Sequence, residues 1–176
     1  ANQEFELFYQ PQIEIASGDD AVHADAELVI NGGDIDVTKS YEGIENAGAD
    51  MTINGGRIRV VSSDDGINMA GAGDMVQSST TYYLYINGGY IVSNAIGDGV
   101  DANGSIVMTG GCVIVHGPSA NNNAAVDYDG TFRMTGGFLV AAGSSGMAQA
   151  TSAASSQPSA LLSFSSRAAG ALVHIS

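Results

Sequence analysis

The stretch "MTINGGRIRV", residues 51 to 60, decides the fold. Met51 and Ile53 alternate with Thr52 before a Gly-Gly pair, and Ile58 and Val60 alternate with Arg57 and Arg59 after it. Period-two alternation on both sides of an Asn-Gly-Gly bend reads as strand, turn, strand. The same pattern recurs without gaps as "LVINGGDIDV" (28–37), "LYINGGYIVS" (84–93), "IVMTGGCVIV" (106–115) and "FRMTGGFLVA" (132–141). The first glycines, Gly32, Gly55, Gly88, Gly110 and Gly136, are spaced by 23, 33, 22 and 26 residues. A period near 22 to 23 with occasional insertions marks stacked supersecondary units, so the repeat sets the fold.

A third apolar position, Val22, Ile44, Ile67, Val100 and Val126, adds one more short strand to each repeat. Three strands and three bends make one coil of a parallel β-solenoid, and no stretch carries a convincing helical stripe. The expected inward columns are Leu28, Met51, Leu84, Ile106, Phe132; Ile30, Ile53, Ile86, Met108, Met134; and Ile35, Ile58, Ile91, Val113, Leu139. Asn31, Asn54, Asn87, Thr109 and Thr135 form either a polar ladder bonding from coil to coil or ordinary turn residues beside glycine. The expected organisation is a lead-in over 1–12, coils over 13–141 with an insertion at 71–82, and a β cap over 142–176. In that cap "ALLSFSS" and "ALVHIS" read as two strands covering the open solenoid end.

The 176 residues carry 5 basic against 19 acidic side chains, a net charge of −14. That field repels nucleic acid and anionic membrane surfaces. Nowhere do eighteen apolar residues run together, so no membrane span is expected. One cysteine, Cys112, gives neither a disulfide framework nor a thiolate cluster and reads as a small apolar filler.

The charge is concentrated by the repeat. "GDDAVHADA", "YEGIENAGA", "SDDGINMAGAGD", "GDGVDANGS" and "NAAVDYDGT" align so that Asp20, Glu42, Asp65 and Asp98 stack. Three residues on, His23, Glu45, Asn68, Asp101 and Asp127 form a second column. Coils spaced by about 4.8 Å make stacked carboxylates repel by about 1 kcal/mol in water and about 4 kcal/mol at an effective dielectric near 20. No lysine or arginine occurs in these segments, so a bound cation is the simplest remedy. An oxygen-only donor set of Asp, Glu and Asn suits Ca²⁺. The sites expected are Asp65, Asn68, Asp98 and Asp101 between the third and fourth coils, and Glu42, Glu45, Asp65 and Asn68 between the second and third. His23 is a poor calcium ligand and Ala124 removes a carboxylate, which weakens the outermost positions, those of Asp20 and Asp127.

From about Ile13 to Ser176 the chain resembles the secreted bacterial carbohydrate-binding-domain proteins built as right-handed parallel β-helices akin to polysaccharide lyases. The resemblance is carried by "INGGDIDVTKSYEGIE", "INGGRIRVVSSDDGIN", "INGGYIVSNAIGDGVD", "MTGGCVIVHGPSANNNAAVDYDGT" and the ending "AAGSSGMAQATSAASSQPSALLSFSSRAAGALVHIS". It implies a right-handed parallel β-helix with calcium in the helix, binding cellulose or acidic, pectin-like sugars without cleaving them. "DDAVH" departs from the family's usual DDGI followed by an acidic or amide residue, and "ANQEFELFYQ" matches nothing in it. The family also implies further coils before this region and chain beyond "LVHIS".

Lyases of this architecture remove a proton α to a uronate carboxyl with a Lys or Arg base assisted by Ca²⁺. The candidates are Lys39, Arg57, Arg59, Arg133 and Arg167. Arg57 and Arg59 face Asp34 and Asp36 of the preceding coil, and the simpler reading is a surface ion-pair patch; together with Lys39 they are the candidate polar contacts to an acidic sugar. His23, His116 and His174 lack catalytic partners in sequence. The outward positions Tyr85, Tyr90, Val92, Val107, Ile114, Phe138 and Val140 read as one apolar, aromatic strip. Such a strip either stacks on pyranose rings or is covered by the 71–82 insertion or a neighbouring chain. The functional expectation is a calcium-stabilised, secreted, non-catalytic module that binds plant-cell-wall polysaccharide. The alternative is a structural or adhesive solenoid of the cell surface or an extracellular fibre.

Overall fold

A computed structural model of the chain describes residues 11–71, 82–166 and 170–172. The chain enters through β1 (Gln12–Ala16), and the first coil then carries β2 (Val22–Ala24) and β3 (Leu28–Ile30). The next three coils repeat the order long, short, short, and in the fifth a lone bridge at Val126 stands in place of the first short strand. These strands are β4 (Asp34–Lys39), β5 (Ile44–Asn46) and β6 (Met51–Ile53), then β7 (Arg57–Ser62), β8 (Ile67–Met69) and β9 (Tyr83–Ile86). The last are β10 (Tyr90–Ala95), β11 (Val100–Ala102) and β12 (Ser105–Met108), then β13 (Cys112–His116), β14 (Phe132–Met134) and β15 (Phe138–Ala142). All pairs are parallel and join equivalent strands of successive coils into three sheets of six, four and five strands. The fold is therefore an all-β parallel solenoid of about five coils, as the repeat requires. Among the described residues there is no helix long and apolar enough to cross a membrane.

The register matches the expected columns residue for residue. Leu28, Met51, Leu84, Ile106 and Phe132 pair in sequence, as do Ile30, Ile53, Ile86, Met108 and Met134. Ile35, Ile58, Ile91, Val113 and Leu139 line the third column. Its middle members are buried, while Ile35, below Ile13 of β1, and Leu139, on the last strand, are only partly covered. Full burial of each such side chain contributes about 1.5–3 kcal/mol, so the core's free energy grows coil by coil.

Two devices hold the turn before each long strand. Asn54 donates through Nδ2 to Asn31 Oδ1 at 2.8 Å, Asn87 to Asn54 Oδ1 at 2.9 Å, and Thr109 Oγ1 to Asn87 Oδ1 at 2.8 Å. The polar ladder is thus real, although Thr135 leaves it and donates to the Met108 carbonyl instead. Positive φ falls on the second glycine of each pair, between +83° and +104° from Gly33 to Gly137. The asparagines are freed for laddering because glycine takes the left-handed conformation.

The end of the chain differs from the expected β cap. "ALLSFSS" forms no strand, and most of "ALVHIS" lies outside the described residues. The stack is closed by hydroxyls instead. Phe132 N donates to Ser152 Oγ at 2.8 Å and Met134 N to Ser155 Oγ at 2.9 Å, while Ser156 N donates to the Met134 carbonyl at 3.1 Å. Small polar residues satisfy the open edge of β14 without continuing the sheet, which a strand-based reading of this segment misses.

Where coils come closest, glycine is obligatory. A β-carbon at Gly66 would lie 1.9 Å from Ser93 Oγ and 2.6 Å from the Gly99 carbonyl, whereas nothing lies within 4 Å of one at Gly18. Gly66→Ala is expected to destabilise the chain by about 3 kcal/mol, and Gly18→Ala by less than about 0.5 kcal/mol. Chemical denaturation of both variants measures the difference.

Candidate functional site: an acidic corner

The four-stranded sheet is made of three-residue strands whose middle residues face outward in one column. Register places His23, Glu45, Asn68 and Asp101 side by side, and the isolated bridge between Val100 and Val126 brings Asp127 next. The preceding corner stacks Asp20, Glu42, Asp65, Asp98 and Ala124. Both columns stand where the repeat put them.

The first column has a role that sequence reasoning missed. Glu42 N donates to Asp20 Oδ1 at 3.3 Å, Asp98 N to Asp65 Oδ1 at 2.6 Å, and Ala124 N to Asp98 Oδ1. Each aspartate accepts the backbone N–H at the equivalent position one coil on. Ala124 fits this column because only its backbone is asked for. Glu42, longer by one methylene, instead accepts from Asn68 Nδ2 at 2.8 Å.

The remaining oxygens gather into two clusters. Asp65, Asp98 and Asp101 offer carboxylate oxygens that all lie within 4.8 Å of one another. Burial, reinforced by the neighbouring carboxylates, pushes Asp65 up to about 7 and Asp101 up to about 8. Burial also raises Asp98 and Asp127. Asn68 is buried, and with its Nδ2 engaged by Glu42 its Oδ1 has no hydrogen-bond partner. Asp101 of the fourth coil is the register partner of Asn68. A buried acceptor without a donor costs about 1–3 kcal/mol.

The second cluster is Asp20, His23 and Glu45. His23 Nδ1 lies 3.3 Å from Asp20 Oδ2 and against Glu45 Oε2, and Nε2 lies 3.1 Å from Asp25 Oδ1. The surrounding carboxylates, Asp25 first, raise the imidazole to about 9. At this corner an imidazolium offsets part of the negative charge of the stacked acids. Burial raises Glu45, and it raises Glu42 to about 7.

Of the four residues expected to gather between the second and third coils, Glu42 and Asn68 meet while the other two turn elsewhere. Glu45 turns to His23, Glu42 to Asn68, and Asp65 to the fourth coil. Asp127 also stands apart, accepting from Gln149 Nε2 and from Tyr128 N, both at 2.9 Å. Behind the corner Ser62 Oγ donates to the Asp64 carbonyl at 3.0 Å and Ser93 Oγ to the Gly99 carbonyl at 2.8 Å. These buried serines fix the loops bearing the carboxylates. Their only sequence signal is a polar residue at an inward position, at the end of β7 and within β10.

The outward apolar residues form two surfaces rather than one strip. Tyr85 stands on the five-stranded sheet beside Thr52 and Val107 and stacks on Tyr83 with centroids 5.4 Å apart. Tyr90 stands on the six-stranded sheet, because the Gly88-Gly89 bend between the two tyrosines turns the chain onto another face. There, register sets Asp34, Arg57, Tyr90, Cys112 and Phe138 in one row and Asp36, Arg59, Val92, Ile114 and Val140 in the next. Arg57 and Arg59 each pair with the aspartate before them at 3.2 Å. Lys39 is exposed at the end of β4. The insertion proposed as a cover, Arg167 and His174 lie outside the described residues, apart from Gly71 and Tyr82 at the edges of the insertion.

No family model matches the chain, and neither the curated proteins nor the solved structures yield a match.

These environments set a pH dependence. Asp65 and Asp101 keep their protons in the folded chain above the ordinary aspartate value of 3.8, to about 7 and about 8, so the folded state loses stability as pH rises through that window. His23, raised from 6.5 to about 9, contributes stability that is complete below 6.5 and lost as pH rises through about 9. All three have the same sign. The Tm of the metal-free protein is expected to fall steadily between about pH 5 and pH 9, and thermal unfolding by circular dichroism in chelator tests it.

Proposed function

We propose that the protein is a calcium-braced, non-catalytic β-solenoid, secreted to act outside the cell as a binding module for plant-cell-wall polysaccharide. The carrying observation is the cluster of Asp65, Asp98 and Asp101, together with the partnerless Oδ1 of Asn68, the residue in register with Asp101. Three carboxylates and an amide oxygen are an all-oxygen donor set of the kind calcium accepts, with water completing six to eight ligands. The ion would replace protons that the carboxylates otherwise retain, and it would supply the absent partner of Asn68.

Sugar binding is supported by the outward face of the six-stranded sheet. Tyr90 and Phe138 are exposed in one row with the Arg57–Asp34 pair, so ring faces and polar groups lie along one regular surface. Pyranose rings present the matching alternation of apolar faces and hydroxyl edges. Tyr83 and Tyr85 offer a second, separate platform. The non-catalytic reading rests on Arg57 and Arg59 being held by aspartates, which leaves them poorly placed to act as bases.

A structural role in a cell-surface or extracellular fibre is the second reading. It is favoured by the contiguous apolar half of the same sheet, where Tyr90, Phe138 and Val140 are all exposed. Sedimentation without sugar separates the two: concentration-dependent assembly supports the fibre, and a monomer retained by cellulose or polygalacturonate supports the module. Tyr90→Ala is expected to weaken retention by the neutral glucan severalfold.

Calcium at a hundredfold excess over Kd is expected to raise the Tm of the metal-free protein by about 5–10 °C. Asp101→Asn should raise the metal-free Tm at pH 8 by removing a buried charge and should abolish most of the calcium increment. An unchanged calcium increment in that variant excludes the cluster as the site.

A further inference from the structure

The first corner carries a donor set that differs in kind from the rest. Imidazole nitrogen is present at His23, and Asp20 and Glu45 bring carboxylate oxygens from two successive coils, with all three ligand atoms within 4.8 Å of one another. We propose that Asp20, His23 and Glu45 form a second cation site, selective for a borderline divalent transition metal of the zinc class over calcium.

Three observations carry this. The first is ligand chemistry. Calcium takes oxygen, whereas an imidazole with two carboxylates suits zinc and its neighbours. Ligand atoms of a tetrahedral ion at about 2.0–2.1 Å stand about 3.3 Å apart, and Nδ1 to Asp20 Oδ2 is 3.3 Å. Glu45, closer than that to Nδ1, has only to withdraw by a side-chain rotation.

The second is the orientation of the ring. Nδ1 faces the two carboxylates while Nε2 points away from them to Asp25 Oδ1 at 3.1 Å. Asp25 is not one of the three ligands. A carboxylate on the far nitrogen is the arrangement that fixes the tautomer of metal-binding histidines and raises their basicity. It leaves the Nδ1 lone pair for a metal once that nitrogen gives its proton to solvent.

The third is access. A cleft of about 310 Å³ opens beside the cluster and is lined by Asp19, Asp20, His23, Tyr41, Glu42 and Glu45. It gives an ion a route in and room for a water as fourth ligand. The side chain of Glu45 is only 8% exposed and that of Asp20 18%, so the anions are already gathered and partly desolvated. The inference does not depend on the calcium reading, since the two clusters share no residue.

The test uses the full chain, freed of metal, at pH 7.5. Cobalt(II) is titrated with visible absorption as the readout, and zinc is titrated in competition, each with and without millimolar calcium. One equivalent of cobalt is expected, displaced by zinc and undisturbed by calcium. His23→Gln should weaken binding at least tenfold, and Asp25→Asn, which only positions the ring, by about tenfold. Asp101→Asn should leave cobalt affinity unchanged, which separates this site from the calcium cluster. Imidazole ¹H–¹⁵N correlation spectra of the unmutated chain provide a readout independent of any variant's folding. Zinc should shift the His23 Nδ1 resonance and leave that of His116 in place. Displacement of cobalt by calcium, equal losses in His23→Gln and Asp101→Asn, or an unmoved His23 resonance would each overturn the proposal.

Discussion

Parallel strands stacked in register at about 4.8 Å place each side chain directly over its counterpart in the next coil. Everything else in the molecule follows from that constraint. For apolar residues it is favourable, since Ile58 over Ile35 and Ile91 over Ile58 exclude water from one another. For amides it is favourable too, because Asn donates and accepts and so can bond to a copy of itself, as Asn31, Asn54 and Asn87 do. For carboxylates it is unfavourable, and the acidic corner shows how one chain copes with that.

Four remedies operate side by side within a single pair of columns. Asp65 and Asp98 spend one oxygen each on a backbone N–H of the next coil. Glu42 takes an amide proton from Asn68. Asp20 and Glu45 close around an imidazolium. Asp101, partly buried among other acids, keeps its proton up to about 8. The corner is therefore graded, from a first coil whose acids are partly offset by an imidazolium to a third and fourth coil whose carboxylates hold on to protons.

Much of this was legible in the sequence because the repeat converts spacing into contact. Once Gly32 and Gly55 are aligned, the partners of Ile35, Asp36 and Glu45 follow without further assumption, and the register agrees. What spacing does not encode is the direction in which a side chain turns within its column. Spacing leaves Glu45 free to face Asn68 or His23, and in the structure it faces His23. The single strip of tyrosines failed for a related reason: Tyr85 and Tyr90 are close in sequence, but a bend separates them and alternation alone does not number the faces. In the last segment Ser152 and Ser155 cover the edge of β14 through their hydroxyls, a chemistry that leaves no hydrophobic period to detect.

The Gly-Gly bend has the same length in all five repeats, whereas the extra residues of the 33- and 26-residue spacings fall at the other two corners. Insertion between β8 and β9 leaves Met51 opposite Leu84, and insertion between β13 and β14 leaves Ile106 opposite Phe132. One edge of the prism thus acts as a spine that keeps count while the other two tolerate changes in length. New loops, and with them new specificities, can be added at those edges without renumbering a single contact of the core, so the architecture separates what must be conserved for folding from what is open to variation.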